Sequence, residues 1–181
     1  TVPSSSKSDI TINNCVVLGT LNASGSGTVT VTNSRVADAQ LKGDGGSLIA
    51  KGETSIKDTT VSGDGSLGTT SVAGTTMYNA GFEHVSVAKN GAAGLTGTFA
   101  DVTINGSDAS LALSGAKVTA LSVGSAATNS TVSVGSDSTV TKATVSGANA
   151  SFKGTGTVSV MAANANGITY EKRPSTLTTG K

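Results

Sequence analysis

A chain of 181 residues with 24 Gly, three Phe, two Tyr and no Trp has no material for an aromatic-rich core, so any core must be thin and built from Val, Leu, Ile and Ala. Charged residues make up 13% of the chain, about half the usual share, and the net charge of +1 is scattered along it, which excludes the basic, aromatic-lined groove of a nucleic-acid binder. No apolar run reaches the about 18 residues of a membrane span, and the steady alternation of β-branched residues excludes a chain disordered throughout.

The chain begins at Thr1 rather than Met, so it reads as a mature or excised fragment, with residues 1–8 as a flexible N-terminal segment. Repetition starts at Asp9. Residues 9–27 (DITINNCVVLGTLNASGSG), 28–46 (TVTVTNSRVADAQLKGDGG) and 47–66 (SLIAKGETSIKDTTVSGDGS) align with one another. Ile10 and Ile12 match Val29 and Val31, then Leu48 and Ala50; Val17 matches Val36 and Ile56; Leu21 matches Leu41 and Val61 with a one-residue slip. Each segment closes on a Gly-rich turn, and the period of about 20 residues is that of a solenoid coil. Each coil is expected to hold three short strands, in the second coil Val29–Val31, a strand near Val36, and Ala39–Leu41. Alternation turns Val29 and Val31 inward and Thr28, Thr30 and Thr32 outward. Strands this short hold only when stacked in parallel on the equivalent strand of the next coil.

A longer coil runs from Leu67 to Gly94, with an insertion expected near Thr75–Gly81. The closing strands then recur at Val85–Val87, Val102–Ile104, Leu121–Val123 and Ala143–Val145, and a last, less regular coil lies near Ala150–Met161. No helix is predicted, because helix formers never recur at three-and-four spacing and Thr, Ser, Val and Gly dominate. Asn14 and Asn33 sit at matching corners, where Asn tolerates the left-handed region and stacked amides can bond from coil to coil. The fold expected is all-β: a single-stranded right-handed parallel β-helix over residues 9–170, of about seven or eight coils, with 171–181 as a C-terminal tail. Hairpin sandwiches need longer strands, and a left-handed β-helix would want strict hexapeptides.

Three stretches, GTVTVTNSRVADAQLKGDGG at Gly27–Gly46, LTGTFADVTI at Leu95–Ile104 and FKGTGTVSVMAANANGITYEKRP at Phe152–Pro174, resemble the β-solenoid regions of surface and S-layer-type proteins of Gram-positive bacteria. The resemblance implies a module displayed extracellularly, at the cell surface or wall. Its partners would be neighbouring domains of the same polypeptide, other surface-layer copies, or cell-wall or host glycans.

Chemistry is sparse. Cys15, the only cysteine, is expected to be a small buried thiol beside Val16 and Val17, with no disulfide and no cysteine-based zinc site. His84 is the only histidine and lacks orienting partners in the sequence, so it reads as a surface residue. Asp38, Asp58, Asp101, Asp108 and Asp137 are expected at separate turns. Asp44 and Asp64 recur one coil apart in GDGG and GDGS, where a weak calcium site is the alternative reading, but neither turn matches the GGxGxDxUx calcium repeat, and solvated turn residues are the favoured one. Lys51, Glu53 and Lys57 read as charge on a soluble face. Tyr78, Phe82 and Phe99 are expected to make an apolar contact at the insertion, Phe152 to fill the distal core, and Tyr170 to order the last strand. A Thr ladder for ordering water fails, since Thr30 is followed by Ile49 and Thr32 by Lys51. No residue is assigned to catalysis, cofactor or metal. The expected function is a structural or spacer module without catalysis; the alternatives are a glycan- or host-surface-binding adhesin and, more weakly, a polysaccharide lyase or hydrolase. The polar N-terminal TVPSSSKSD makes a poor cap, so the N-terminal edge is expected to take a preceding domain or another copy.

Overall fold

The computed structural model describes residues 9–70 and 81–180. The flexible segment expected over 1–8, the contact of Tyr78 and nearly all of the insertion expected near Thr75–Gly81 lie outside them. Among the described residues there is no helix, and therefore none long and apolar enough to cross a membrane.

The chain winds through strands β1 (Ile10–Asn13) and β2 (Val16–Ala23), β3 (Thr28–Thr32) and β4 (Arg35–Leu41), β5 (Gly46–Lys51) and β6 (Ser55–Val61), and β7 (Asp64–Thr70) and β8 (Phe82–Val87). Two long strands follow, β9 (Ala92–Ile104) and β10 (Ser110–Val123), each making a whole coil. The stack ends with β11 (Thr131–Val134) and β12 (Thr139–Val145), β13 (Ser151–Lys153) and β14 (Thr157–Ala163), and β15 (Thr169–Tyr170) and β16 (Thr176–Thr179). All pairing is parallel and between successive coils. One row runs β1-β3-β5-β7-β9-β10-β11-β13-β15, and the other β2-β4-β6-β8-β9-β10-β12-β14-β16. The result is a β-solenoid of about 8 turns whose equivalent residues lie about 19 apart.

Ile10, Val29, Leu48 and Leu67 stack in one inward column, as the alternation predicts. Leu67 then pairs with Leu95, so the extra residues of the long coil fall between them. Val31 and Leu41 are buried at 0% and 1% exposure. The middle and closing strands expected as separate pieces are one bent strand: in β4, Val36 and then Ala39 and Leu41 point inward, three and two residues apart. The expected one-residue slip at Leu21 is resolved differently. Leu21 pairs with Ala39, and Leu41 with Ala23, because β2 carries one extra residue between Val17 and Thr20, a β-bulge.

Left-handed residues mark the corners. Asn14 and Asn33 have φ of 52° and 46°, as their matching positions predict, and Asn90, Asp108, Asn129 and Asn149 adopt the same conformation before the first-row strands. Each of these six residues points its backbone N–H at a carbonyl of the following coil, for example Asn33 N to Lys51 O at 3.2 Å and Asn149 N to Asn166 O at 2.9 Å. An amide ladder appears at the second corner, where Asn149 Nδ2 donates to Asn129 Oδ1 at 3.2 Å. At the first corner, Asn33 Oδ1 accepts from the backbone N–H of Glu53 instead. Phe82 and Phe99 stack with ring centroids 5.6 Å apart inside the core, and Phe152 is buried against the distal end.

Candidate functional site

A column of titratable groups lies on the outer face of the second row. Thr20, Asp38, Asp58, His84 and Asp101 occupy successive positions of one column. Parallel strands repeat at about 4.8 Å, so these side chains stand one strand apart. The expectation that Asp38, Asp58 and Asp101 sit at separate turns is therefore corrected: each lies within a strand, one residue before an inward member of the core, Ala39, Thr59 and Val102. Thr20 Oγ1 donates to Asp38 Oδ2 at 2.7 Å, and His84 Nδ1 lies 3.2 Å from Asp101 Oδ2. His84 is thus exposed, as predicted, but has a carboxylate partner that sequence distance hid. The column continues through Ala120 and Lys142 to Val160.

A second outward column runs beside it. Asn22, Gln40, Thr60, Ser86, Thr103, Ser122 and Thr144 follow one another coil by coil. Five consecutive hydroxyls make a half-buried polar stripe next to the carboxylates. The Thr-x-Thr ladder fails on the first row as expected, where Thr30 pairs with Ile49 and Thr32 with Lys51, and the second row holds a single column of hydroxyls.

The chemistry open to this face follows from its exposure. The His84 and Asp101 side chains are 57% and 42% exposed, so water competes for the imidazole and screens the pair. General acid–base catalysis needs a base oriented against a bound substrate, whereas these side chains project from a flat sheet. Among the described residues no group of three or more His, Cys, Asp or Glu is arranged to hold a metal ion. A carboxyl displaced from its ordinary range lies elsewhere. Asp137, in the turn before β12, is held below the usual value chiefly by the Gly115 backbone N–H, then by its own N–H and the Ser138 hydroxyl, against the opposing effect of burial.

Two other places invite inspection. At the GDGG and GDGS turns, the Asp44 and Gly45 N–H groups both point at the Asp64 carbonyl, at 3.3 and 3.0 Å, and the coils touch backbone to backbone. A Cβ on Gly43 would meet the Gly63 Cα at 2.7 Å, so the repeated Gly serves close approach. On the first row, Asp64, Ser66, Ala92, Gly94, Ser110 and Ala112 line an open depression of about 280 Å³, formed because the outward side chains there are small.

Cys15 is exposed, contrary to expectation, and its Sγ donates to Asn13 O at 3.1 Å. Its corner equivalents Ser34 and Thr54 are buried at 2% and 0%. They lie between two coils, whereas Cys15 belongs to the first described coil and is covered from one side. Comparison with protein-family models, with curated proteins and with solved structures gives no match to this chain.

Proposed function

We propose that this chain is a structural or spacer module of a secreted or cell-surface protein and carries no catalysis of its own. The observation that supports this reading is the uniformity of the stack. One apolar core runs from Leu21 to Met161, and the polar side chains outside it stand in regular columns rather than converging on a cleft. A rod of this kind sets a distance between what lies at its two ends. Display outside a Gram-positive cell is the setting that the resemblance of Gly27–Gly46, Leu95–Ile104 and Phe152–Pro174 to surface-layer solenoids implies. The intact chain is expected to release no product from pectin-like or wall glycans, with or without calcium, in a reducing-sugar and lyase absorbance assay. Reproducible turnover would overturn the reading.

A second reading, a glycan- or host-surface-binding adhesin, is favoured by one observation: the Asp38–Asp58–His84–Asp101 column beside the Thr60–Ser86–Thr103–Ser122–Thr144 hydroxyls. Carboxylates and hydroxyls in rows match the hydrogen-bonding groups of an extended glycan. Binding on a glycan array that is lost in Asp58→Asn with His84→Ala would move the assignment to this reading.

A further inference from the structure

The two ends of the solenoid differ from its middle. Among the described residues, β1 and β2 pair on one side only, with β3 and β4, and β15 and β16 pair only with β13 and β14. Each end therefore presents backbone N–H and C=O groups to whatever lies beyond it, the template for strand addition. Apolar exposure follows the same division. The exposed large hydrophobics are Ile10, Val16 and Leu18 in the first coil and Val160 and Tyr170 in the last two. The core residues that are only partly covered are likewise Ile12 and Val17 at one end and Ile168 and Leu177 at the other. Among the described residues of the coils between them, the large apolar side chains are buried except Ile49, which is half-buried on the outer face of β5.

The ends also match in register. Along the second row, Leu21, Ala39, Thr59, Val85, Val102, Leu121, Ala143, Met161 and Leu177 form one unbroken inward column. The neighbouring column runs likewise from Ala23 to Thr179. A translation that stacks β16 on the β2 of another molecule therefore sets Leu177 on Leu21 and Thr179 on Ala23, and buries no charge between them. The first row is offset by one inward position, since Tyr170 stands in the column of Phe152, Val132 and Leu111, so the second row carries the match.

Residues 9–109 hold nine carboxylates against five Lys and Arg, whereas residues 110–180 hold two against five. Six of those nine, from Glu53 to Asp108, lie in the middle coils, about a Debye length or more from the N-terminal end, so the register rather than charge sets the direction of the contact. The segment at residues 1–8, TVPSSSKS, is a poor competitor for the open edge, having Val2 and Pro3 as its apolar residues and no N–H on Pro3.

We propose that copies of this chain bind one another head to tail, the C-terminal coil of one seated on the N-terminal coil of the next through β16 and β2. Such a contact is heterologous, so nothing closes it and it propagates into linear filaments. It does not depend on where the protein is displayed, and it stands or falls apart from the spacer reading.

The test follows the full chain by sedimentation velocity from dilute to concentrated solution, with the rate of Cys15 modification by a thiol reagent as a second readout. The mass is expected to grow with concentration without stopping at a dimer, and Cys15 to react several-fold more slowly as the first coil is covered. Val16→Glu with Leu18→Glu blocks the N-terminal end at exposed positions and is expected to keep the chain monomeric with an unchanged β spectrum. Leu177→Glu blocks the other end; if it disturbs the last coil, the exposed Tyr170→Glu replaces it. Mixing an N-blocked with a C-blocked chain is expected to give a one-to-one dimer and nothing longer. A wild-type chain that stays monomeric with Cys15 equally reactive throughout would overturn the proposal. So would a monomer whose Cys15 is slow at every concentration, the signature of residues 1–8 covering the edge. Association of either blocked chain alone, or a mixture that stays monomeric, would overturn it too.

Discussion

Thr59 carries a hydroxyl into an inward column that holds Ala39 and Val85 on either side. It is 2% exposed, and its Oγ1 has no hydrogen-bond partner among the described residues. The other buried hydroxyls are satisfied: Thr54 Oγ1 donates towards Lys51 O at 2.6 Å, and Ser130 Oγ towards Ala127 O at 3.1 Å. An unmade buried hydrogen bond costs about 1–3 kcal/mol, so Thr59→Val, which keeps the shape and removes the group, is expected to raise unfolding stability by about 1 kcal/mol in urea titration. Thr54→Val is expected to do the opposite, because it removes the hydrogen bond to Lys51 O, a carbonyl that keeps only the Asn33 N–H as donor. Asp137 sets a pH dependence. Its carboxyl is held below the ordinary value of 3.8 by the Gly115 N–H of the preceding coil and by neighbouring donors. A depressed carboxyl stabilises the fold fully above its unfolded pKa, and that stabilisation disappears as pH falls through the lower folded value. Asp137→Asn is therefore expected to be less stable than the parent at neutral pH, with the gap between the two closing as urea titrations are taken below pH 3.8.

At the scale of the element, the corner decides where a coil turns. Asn149 has φ of 58°, and its side chain donates to Asn129 in the coil before. A β-branched residue pays about 1–2 kcal/mol in the left-handed region, so Asn149→Val is expected to lower stability by about that amount in thermal or urea melts. Asn149→Gly, which accepts the same φ, is expected to lose only the exposed amide contact. Such corners show why the fold was legible in the sequence. Ile10, Val29 and Leu48 recur at a fixed spacing, and Asn14 and Asn33 recur with them, because each coil must turn at the same place to stack. The bulge at Leu18 was not legible in detail: an extra residue that projects to solvent leaves the apolar pattern almost unchanged, so Leu21 seemed to match Leu41 rather than Ala39. The outward columns were hidden for a related reason. His84 and Asp101 touch across 17 residues and Asp58 lies 26 before His84, because the long coil breaks the period between them. Reading one position before each closing strand, at Ala39, Thr59, Val85 and Val102, recovers the whole column. Cys15 has the sequence neighbours of a core residue, but among the described residues its coil has a covering neighbour on one side alone, which leaves it exposed.

The whole molecule is a stack in which each coil touches only the coils before and after it, so its stability approximates a sum of nearest-neighbour contacts. Nine strands in a row at about 4.8 Å give a rod of about 38 Å, and among the described residues every internal coil has two such neighbours while the end coils have one. The first coil is the poorest of all, with Val16 and Leu18 at 69% and 87% exposure and Cys15 uncovered. The long strands β9 and β10 lie at the opposite extreme: they pair with each other along their length and with further strands on their outer sides. Local opening should therefore begin at the ends and work inward. Native-state hydrogen exchange, read in dilute solution where ends are free, is expected to find the weakest protection at β1 and β2 and the next weakest at β15 and β16. The amides of Val102–Ile104 and Leu121–Val123, each flanked by strands on both sides, are expected to exchange slowest and at the rate of global unfolding. Uniform protection from β1 to β16 would mean that the stack opens as a single unit, and that the open end costs the molecule nothing. A rise in protection confined to β1, β2, β15 and β16 on raising the concentration would carry the same gradient one step further, because an end coil gains a second neighbour only when another molecule supplies it.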